Sequence, residues 1–523
     1  MTDPPSRPPS EPAHHPPSDP LDLPDLASAR LGGAVLAAND EFFAPKENLV
    51  RDEPPRWDPD RYTDRGKWMD GWETRRRREP GHDWCLVLLG LPGIPRVVVV
   101  DTAHFRGNFP ESCSLEGCDA PAEATAEELL GPGVEWLEIL PVSRLEGDAR
   151  NRFALETPYR FTHLRLHIYP DGGVARLRVH GEVVPRAADL AGNDTIDLAT
   201  LAYGARVLAV SDRFFGSPEK LLLPGEPTGM HDGWETRRRR GPGHDWVVIR
   251  LAAPGVPERV EVDTTFFKGN APGSCSLEGL LAEGGEPDLA ATGEAAWRPL
   301  LPRTPLEPDR RHLFDRLEPV GPVSHVRLAI HPDGGVARLR VDGRLDSAAR
   351  ESLALAELNA LPPAAARRRL LDCCGSPRWT AAMAARRPFA DRAALLAAAG
   401  EEAGRLDRDD WLAAFAAHPP IGGAAADAER PRGERSARWS EAEQAGARGD
   451  AALAARLAEA NRRYRERFGH VFIVCAAGKS GEEMLALLEE RLANDPAREL
   501  EVAAAEERAI MRLRLDKLLG GNR

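Results

Sequence analysis

Asp70–Arg78 reads DGWETRRRR, and Asp232–Arg240 reads DGWETRRRR again. The two stretches are identical and lie 162 positions apart. The register persists downstream: GHDW at Gly81 returns at Gly243, DT at Asp101 returns at Asp263, SCSLEG at Ser112 returns at Ser274, and PDGGVARLRV at Pro170 returns at Pro332. A repeat of this length is a domain rather than a solenoid unit, so the first two-thirds of the chain is a duplicated domain. Upstream, GGAVLAANDEFFAPKENLV at Gly32 matches GARVLAVSDRFFGSPEKLL at Gly204, now at an offset of 172. The first copy therefore carries extra residues near Arg51–Lys67, a loop insertion of the kind that surfaces tolerate.

Inside each copy the patterning is β. Short apolar runs begin at Trp84 (WCLVLLG) and Trp246 (WVVIRLA), followed by RVVVVDT and RVEVDTT. THLRLHIYPDGGVARLRVHG and SHVRLAIHPDGGVARLRVDG alternate with period two on both sides of a Pro-Asp-Gly-Gly turn, which predicts a β-hairpin. Many short strands with Gly/Pro turns predict a sandwich or jelly roll. Near Arg350 the composition turns Ala-, Leu-, Glu- and Arg-rich, and stretches such as DRAALLAAAGEEAGRL and EVAAAEERAIMRLRLDKLL place apolar residues at i, i+3, i+4. The polar stretch Gly423–Ser436 reads as a loop among these helices. The fold class is multidomain: two tandem all-β sandwich (jelly-roll-like) domains followed by an all-α helical domain. The expected boundaries are a disordered Pro-rich tail over 1–24, repeats over 25–190 and 191–348, and the helical domain over 349–523.

A chain of 523 residues has room for roughly three domains of about 150 residues each. The net charge of −13 argues against a nucleic-acid partner, because phosphate contacts need a basic surface. No run of 18 apolar residues suggests a membrane span. The N-terminal stretch lacks the apolar core of a secretory signal. The seven cysteines are odd in number, form no CxxC pair and have no zinc-site spacing, so reduced thiols and a cytoplasmic location are expected.

On a strand, Arg75 and Arg77 would share one face, as would Arg237 and Arg239. Guanidinium forks bind carboxylates bidentately, so the run is a candidate for recognising an acidic small molecule, against the plainer reading of a solvated edge strand. Polar residues kept in both copies include Glu73/Glu235, His82/His244, Asp83/Asp245, Asp101/Asp263, Asn108/Asn270, Ser112/Ser274 and Glu116/Glu278. Carboxylates with a histidine can activate water or hold a divalent metal, and each alone can also be structural. The copies differ where His104 faces Phe266, Arg106 faces Lys268, Glu111 faces Gly273 and Cys118 faces Leu280.

Over about Leu26 to Asp346 these motifs resemble the allantoicase family, whose chain is two tandem copies of one β-sandwich. The resemblance implies hydrolysis of allantoate to ureidoglycolate and urea, with a substrate carboxylate that suits the arginines. Hydrolysis at an aminal carbon needs leaving-group protonation, which suits nearby Glu, Asp and His. It carries no residue roles across, so the candidates are Glu73, Arg75, Arg77, His82, His104 and Glu116, with Glu235, Arg237, Arg239, His244 and Glu278. A divalent metal is left open. If His104 is essential, only the first copy, or an interface between copies, is active. The alternative is a non-catalytic binding or tethering module, since fold alone does not settle function.

In the helical region His418 sits in FAAHPPIGG at a helix-to-loop junction, and WSEAEQAGA follows. There Ser440 and Glu443 have the spacing of a capping box, the bland reading. Gly478-Lys479-Ser480 is not a phosphate loop, because that motif needs a glycine at the position of Ile473. HPPIG, SEAEQAG, RFGHVFIVCAAGKS and MRLRLDKLL together resemble the cofactor-free decarboxylase of 2-oxo-4-hydroxy-4-carboxy-5-ureidoimidazoline (OHCU), over about Leu358 to Leu519. The resemblance implies that His418 is the catalytic acid, with Glu443 and Arg514 as catalytic partners. It places substrate contacts at Pro419, Ser440, Gln444, Phe472, Ile473, Val474, Cys475 and Ala476. No cofactor is implied, because the substrate's own ring accepts the electrons released with CO2. The small-molecule partners so implied are allantoate and OHCU, in a homo-oligomeric enzyme of urate breakdown. A purely structural oligomerisation role for the helical part is the alternative.

Overall fold

The computed structural model describes residues 19–520 apart from 191–194, 283–286, 288, 290–292, 294–295, 422–433 and 444–450. It divides into two compact units, Met1–Leu353 and Ala354–Arg523. The first copy contains β1 (Ala34–Ala38), β2 (Tyr62–Thr63), β3 (Gly66–Lys67), β4 (Trp72–Glu73), β5 (Asp83–Asp101), β6 (Ser112–Cys118), β7 (Leu137–Arg144), β8 (Arg150–Ala154), β9 (Phe161–Tyr169), β10 (Gly173–Val174) and β11 (Arg176–Val183), with short helices α1 (Ala126–Leu130) and α2 (Ala187–Leu190). The second contains β12 (Ile196–Asp197), β13 (Arg206–Val210), β14 (Trp234–Glu235), β15 (Asp245–Asp263), β16 (Ser274–Leu280), β17 (Arg298–Pro305), β18 (Arg311–Phe314), β19 (Val323–His331), β20 (Gly335–Val336) and β21 (Arg338–Leu345).

Each copy is organised by one strand of 19 residues, β5 or β15. Asp83–Leu88 pairs with β9, and Gly93–Asp101 pairs with β11. The strand changes partners at the Gly/Pro-rich LGLPGIP, where the register shifts between Leu88 and Gly93. Gly93 is required there, since a Cβ would meet the Glu182 carbonyl oxygen at 2.4 Å. One long antiparallel strand thus serves both layers of the sandwich.

The expected Pro-Asp-Gly-Gly hairpin is not formed. β9 is flanked by β5 and β6, while β11 pairs with the far half of β5. Alternation marks a strand with one buried face but does not choose its neighbour. The turn instead carries the chain between layers and sets β10 against β4, joining Gly173 to Glu73 and Val174 to Trp72. The second copy repeats this with β20 and β14.

The two repeated phrases therefore clasp each other. Arg176 donates to the Asp70 carboxylate at 2.9 Å, the Arg77 amide donates to Asp171 at 2.8 Å, and the Thr74 amide donates to the Gly172 carbonyl at 3.1 Å. Arg338–Asp232, Arg239–Asp333 and Thr236–Gly334 do the same in the second copy. Trp72 and Trp234 are fully buried, and their indole N–H groups donate to the carbonyls of Asp40 and Asp212. Truncating such a ring costs ~3–5 kcal/mol. Alternate residues of the strands, such as Leu164, Leu166 and Ile168 on β9, fill one apolar cluster that runs through both copies. The copies are also tied by an ion pair from Arg30 to Asp232.

The insertion of the first copy holds the small hairpin of β2 and β3. The tail 1–24 is not disordered to its end: Pro20–Asp22 forms a 3-10 turn, and Asp19 pairs with Arg152. Residues 1–18 lie outside the described residues. The cysteines are free thiols, six buried and Cys475 half-buried, and burial pushes Cys113 and Cys275 up to about 12.

Helices α3 (Ser347–Ala360), α4 (Pro363–Leu371), α5 (Pro377–Ala385), α6 (Arg392–Ala403), α7 (Arg408–Phe415), α8 (Glu434–Glu443), α9 (Ala451–Phe468), α10 (Gly481–Arg491) and α11 (Pro496–Leu518) follow. Asp391, Asp407, Ser480 and Asp495 cap the starts of α6, α7, α10 and α11. The Gly478-Lys479-Ser480 stretch is thus a helix cap, with Lys479 Nζ donating to the Cys475 carbonyl at 2.7 Å. Of the stretch expected as a loop, Glu434–Ser436 begins α8, and 423–433 lies outside the described residues. No described helix is long and apolar enough to cross a membrane.

Candidate active sites

In the helical unit, α7 ends at Phe415, whose carbonyl accepts the His418 amide at 2.9 Å. The following prolines cannot continue the helix and leave His418 at its end. It borders a pocket with Pro419, Ile421, Ser440, Glu443, Phe472, Ile473, Val474, Ala476, Ile510 and Arg514. This brings together every residue carried over from the OHCU resemblance except Cys475 and Gln444. Cys475 is held beside the pocket, its amide donating to Glu506 at 2.7 Å. Gln444 lies outside the described residues.

The capping-box reading of Ser440 and Glu443 is corrected by α8, which already includes Glu434–Trp439 and so places both residues inside the helix rather than at its start. Three residues apart, they share one helix face. Arg514, on α11 and 1% exposed, donates to Glu443 Oε2 at 2.9 Å and to Ser440 Oγ at 2.9 Å. Its remaining N–H groups turn to Glu443 Oε1, Ser436 Oγ and the Asp372 carbonyl at 3.3–3.4 Å. Arg514 is therefore spent on holding Glu443 and Ser440 rather than presented as a bare anion site. Lys517 adds a bond to Glu443 Oε1 at 2.9 Å. Burial pushes the Glu443 carboxyl up, but Arg514 and Lys517 outweigh it and hold it below the usual range.

Glu507, absent from the sequence reading, completes this site. It is fully buried and faces His418, with Nε2 to Oε2 at 2.7 Å. It lies two helical turns before Arg514 on α11, so a carboxylate at i−7 from the arginine was the signal available. A buried carboxylate against an imidazole fixes ring orientation and favours the protonated form. Arg491 fixes the Phe472–Ala476 segment, donating to the Ile473 carbonyl at 2.8 Å.

In the sandwich unit the arginine run is not a strand. β4 ends at Glu73, and Arg75–Arg78 follow without regular structure. Arg75 pairs with Asp40 and Arg77 with Asp83, both at 2.6 Å, while Arg237 pairs with Asp212 at 2.8 Å and Arg239 with Asp245. The motif's spacing recurs because it closes the fold. Glu73 and Glu235 accept from Asn108 and Asn270 at 2.7 Å, and burial raises the Glu73 carboxyl. His104 and its counterpart Phe266 both adopt positive φ, 71° and 73°, above aspartates that accept their amides. His104 stacks on Trp57 of the insertion, with ring centroids 5.8 Å apart.

His82 and Glu116 do converge, on the outer face of β6 and β9. Glu116 Oε2 accepts from Arg165 Nε at 2.8 Å and from His167 Nε2 at 2.9 Å. His167 Nδ1 lies 2.9 Å from His82 Nε2, and the His82 ring packs 4.8 Å from Tyr169. Tyr169 in turn bonds Ser114 at 2.9 Å. Burial pushes Glu116 up, but the bonds from His167 and Arg165 prevail and lower it. Burial lowers His167. In the second copy Glu278 pairs with Arg327 at 2.7 Å, but Ala329 stands at the place of His167 and His331 at that of Tyr169. The sequence reading missed Arg165, His167 and Tyr169, although the strings LRLHIYP and VRLAIHP carry the difference. Among the described residues no group of three or more His, Cys, Asp or Glu side chains is placed to hold a metal ion.

Fold and sites define a tandem β-sandwich pair followed by a helical domain with a His–carboxylate pocket. Comparison with known proteins makes this particular. The allantoicase repeat model matches residues 24–184 and 196–346, more than half of the chain, and the OHCU decarboxylase model matches 359–516. A probable allantoicase of Burkholderia mallei is 46% identical over 323 residues, covering 62% of this chain and 94% of the relative. A probable allantoicase of Nocardia farcinica is 49% identical over 325 residues, covering 62% of this chain and 95% of the relative. The crystal structure of allantoicase from Saccharomyces cerevisiae is similar at 37% identity and a TM-score of 0.50, over 61% of this chain and 93% of that one. The chain belongs to the allantoicase family and carries an OHCU decarboxylase domain after its two repeats.

Proposed function

We propose that the chain is a bifunctional enzyme of purine catabolism. The sandwich unit hydrolyses allantoate to ureidoglycolate and urea, and the helical unit decarboxylates OHCU to (S)-allantoin. The observation that carries the second activity is the pocket in which His418, backed by Glu507, faces Glu443 and Ser440, both held by Arg514. Loss of CO2 leaves an electron pair on the substrate, which its own ring delocalises. The protein then has only to orient the carboxylate and deliver one proton. His418 supplies that proton, Glu507 stabilises its charged form, and Ser440 and Glu443 orient the substrate in an apolar slot formed by Phe472–Ala476. The two steps are not consecutive, because allantoin must first be ring-opened by another hydrolase, so co-expression rather than channelling accounts for the fusion.

Purified chain given allantoate should release urea, and given OHCU should speed the appearance of (S)-allantoin. His418→Ala should abolish the second activity and leave the first intact. Absence of urea, with and without added divalent metal, would refute the hydrolase assignment and leave the sandwich pair a tethering module.

A further inference from the structure

The two copies share fold and motifs but differ on the outer face of β6 and β9, where the first copy chains His82, His167 and Glu116 together. We infer that the hydrolytic site of the sandwich unit lies on the outer face of the first copy, with His82 as the base and His167 and Glu116 as its positioning residues. The inference rests on the allantoate reading above and specifies where that reaction takes place.

The chain of bonds fixes the tautomers. An ionised carboxylate can only accept, so His167 Nε2 donates to Glu116 at 2.9 Å. A neutral His167 then has a lone pair on Nδ1, which accepts from His82 Nε2 at 2.9 Å. His82 is left with its lone pair on Nδ1. That atom is free to take a proton, while the bond through His167 to Glu116 holds the ring in place. Arg165 keeps Glu116 ionised and is itself fixed under Trp136, 4.7 Å from its ring.

The chemistry closes with these groups. His82 Nδ1 takes a proton from water as the water oxygen bonds to the aminal carbon. The bond from that carbon to one ureido nitrogen breaks, and the electron pair stays on the nitrogen. That nitrogen takes the proton back from His82 and leaves as urea, and the carbon keeps the hydroxyl of ureidoglycolate. No oxidant, reductant or second substrate is needed.

The second copy lacks this chain. Ala329 removes the middle link, so Glu278 keeps the equivalent arginine, Arg327, without the histidine, and His244 packs on His331, whose Nε2 reaches Ser276 at 3.4 Å. Its outer face retains the residues that fold the repeat and loses the one that couples carboxylate to base.

The test uses the full-length chain with allantoate, reading urea, and with OHCU as an internal control. His82→Ala and His167→Ala should each lower kcat for urea release by about 100-fold or more, in the range of general acid–base catalysis, with KM within threefold. Glu116→Gln should fall between them and wild type. Added imidazole should restore part of the His82→Ala rate, which a merely structural role would not permit. His331→Ala and all OHCU rates should stay within threefold of wild type. If His167→Ala unfolds the sandwich unit, the imidazole rescue and His167→Gln still decide. His167 variants at wild-type kcat, or His331→Ala as damaging as His82→Ala, would overturn the assignment to the first copy. A wild-type chain that releases no urea would instead overturn the allantoate reading and take the site with it.

Discussion

Glu507→Gln isolates what the buried carboxylate does for His418. The substitution keeps size and shape and leaves an oxygen able to accept a neutral hydrogen bond. It removes the negative charge from a pair in which Glu507 is 0% and His418 8% exposed. A hydrogen bond to a charged group is worth ~1.5–3 kcal/mol, against ~0.5–1.5 for a neutral one. The loss in the step where His418 carries its proton is therefore about 1–2 kcal/mol. At about 1.4 kcal/mol per decade this is a fall of roughly 5- to 30-fold in kcat for OHCU. Stopped-flow circular dichroism of freshly generated OHCU measures it, with urea release from allantoate as the control that should not move. Glu507→Leu, which removes the acceptor as well as the charge, should cost more than Glu507→Gln. A Glu507→Gln enzyme within twofold of wild type, or Glu507→Leu equal to Glu507→Gln, would refute the argument that Glu507 acts through its charge.

Other outcomes follow from the same geometry. Arg514→Ala should abolish OHCU turnover and destabilise the helical unit by ~3–5 kcal/mol, because it strips the main partner from a buried Glu443 carboxylate; chemical denaturation reads this. His163 and His325 are buried on equivalent strands, and burial pushes both down to about 4. Their folded values lie below the unfolded value of about 6.5, so the unfolded state binds more protons in between. Stability of the sandwich unit should therefore fall as pH drops from about 6.5 towards 4, by about 3 kcal/mol per histidine, and a His163→Gln/His325→Gln chain should show a flatter profile in urea unfolding. Gly173→Ala should destabilise the first copy by ~1–3 kcal/mol, since its Cβ would stand 2.0 Å from Phe105, and a thermal midpoint equal to wild type would contradict that packing.

Much of the molecule was legible before any coordinates. The 162-residue offset exposed the duplication, period-two and period-3.6 patterns separated sandwich from helices, and three spaced motifs assembled the His418 pocket. The misreadings share one cause. Arg75 and Arg77 looked like a face aimed at a ligand, yet each is neutralised by an aspartate from elsewhere, Asp40 or Asp83. Pro-Asp-Gly-Gly looked like a hairpin, yet β9 and β11 take partners on different halves of β5. Ser440 and Glu443 looked like the start of a helix, yet α8 already runs through Glu434–Trp439 ahead of them.

The sequence by itself determined element type, duplication and family, because local periodicity and repeated motifs are written along the chain. Only the tertiary structure decided how the nonapeptide is used, which copy links His82 through His167 to Glu116, and that Glu507 stands behind His418. Ion pairs and hydrogen-bond chains are settled by which side chains arrive within about 3 Å of each other. That proximity comes from strands and helices far apart in the chain, and no local pattern encodes it.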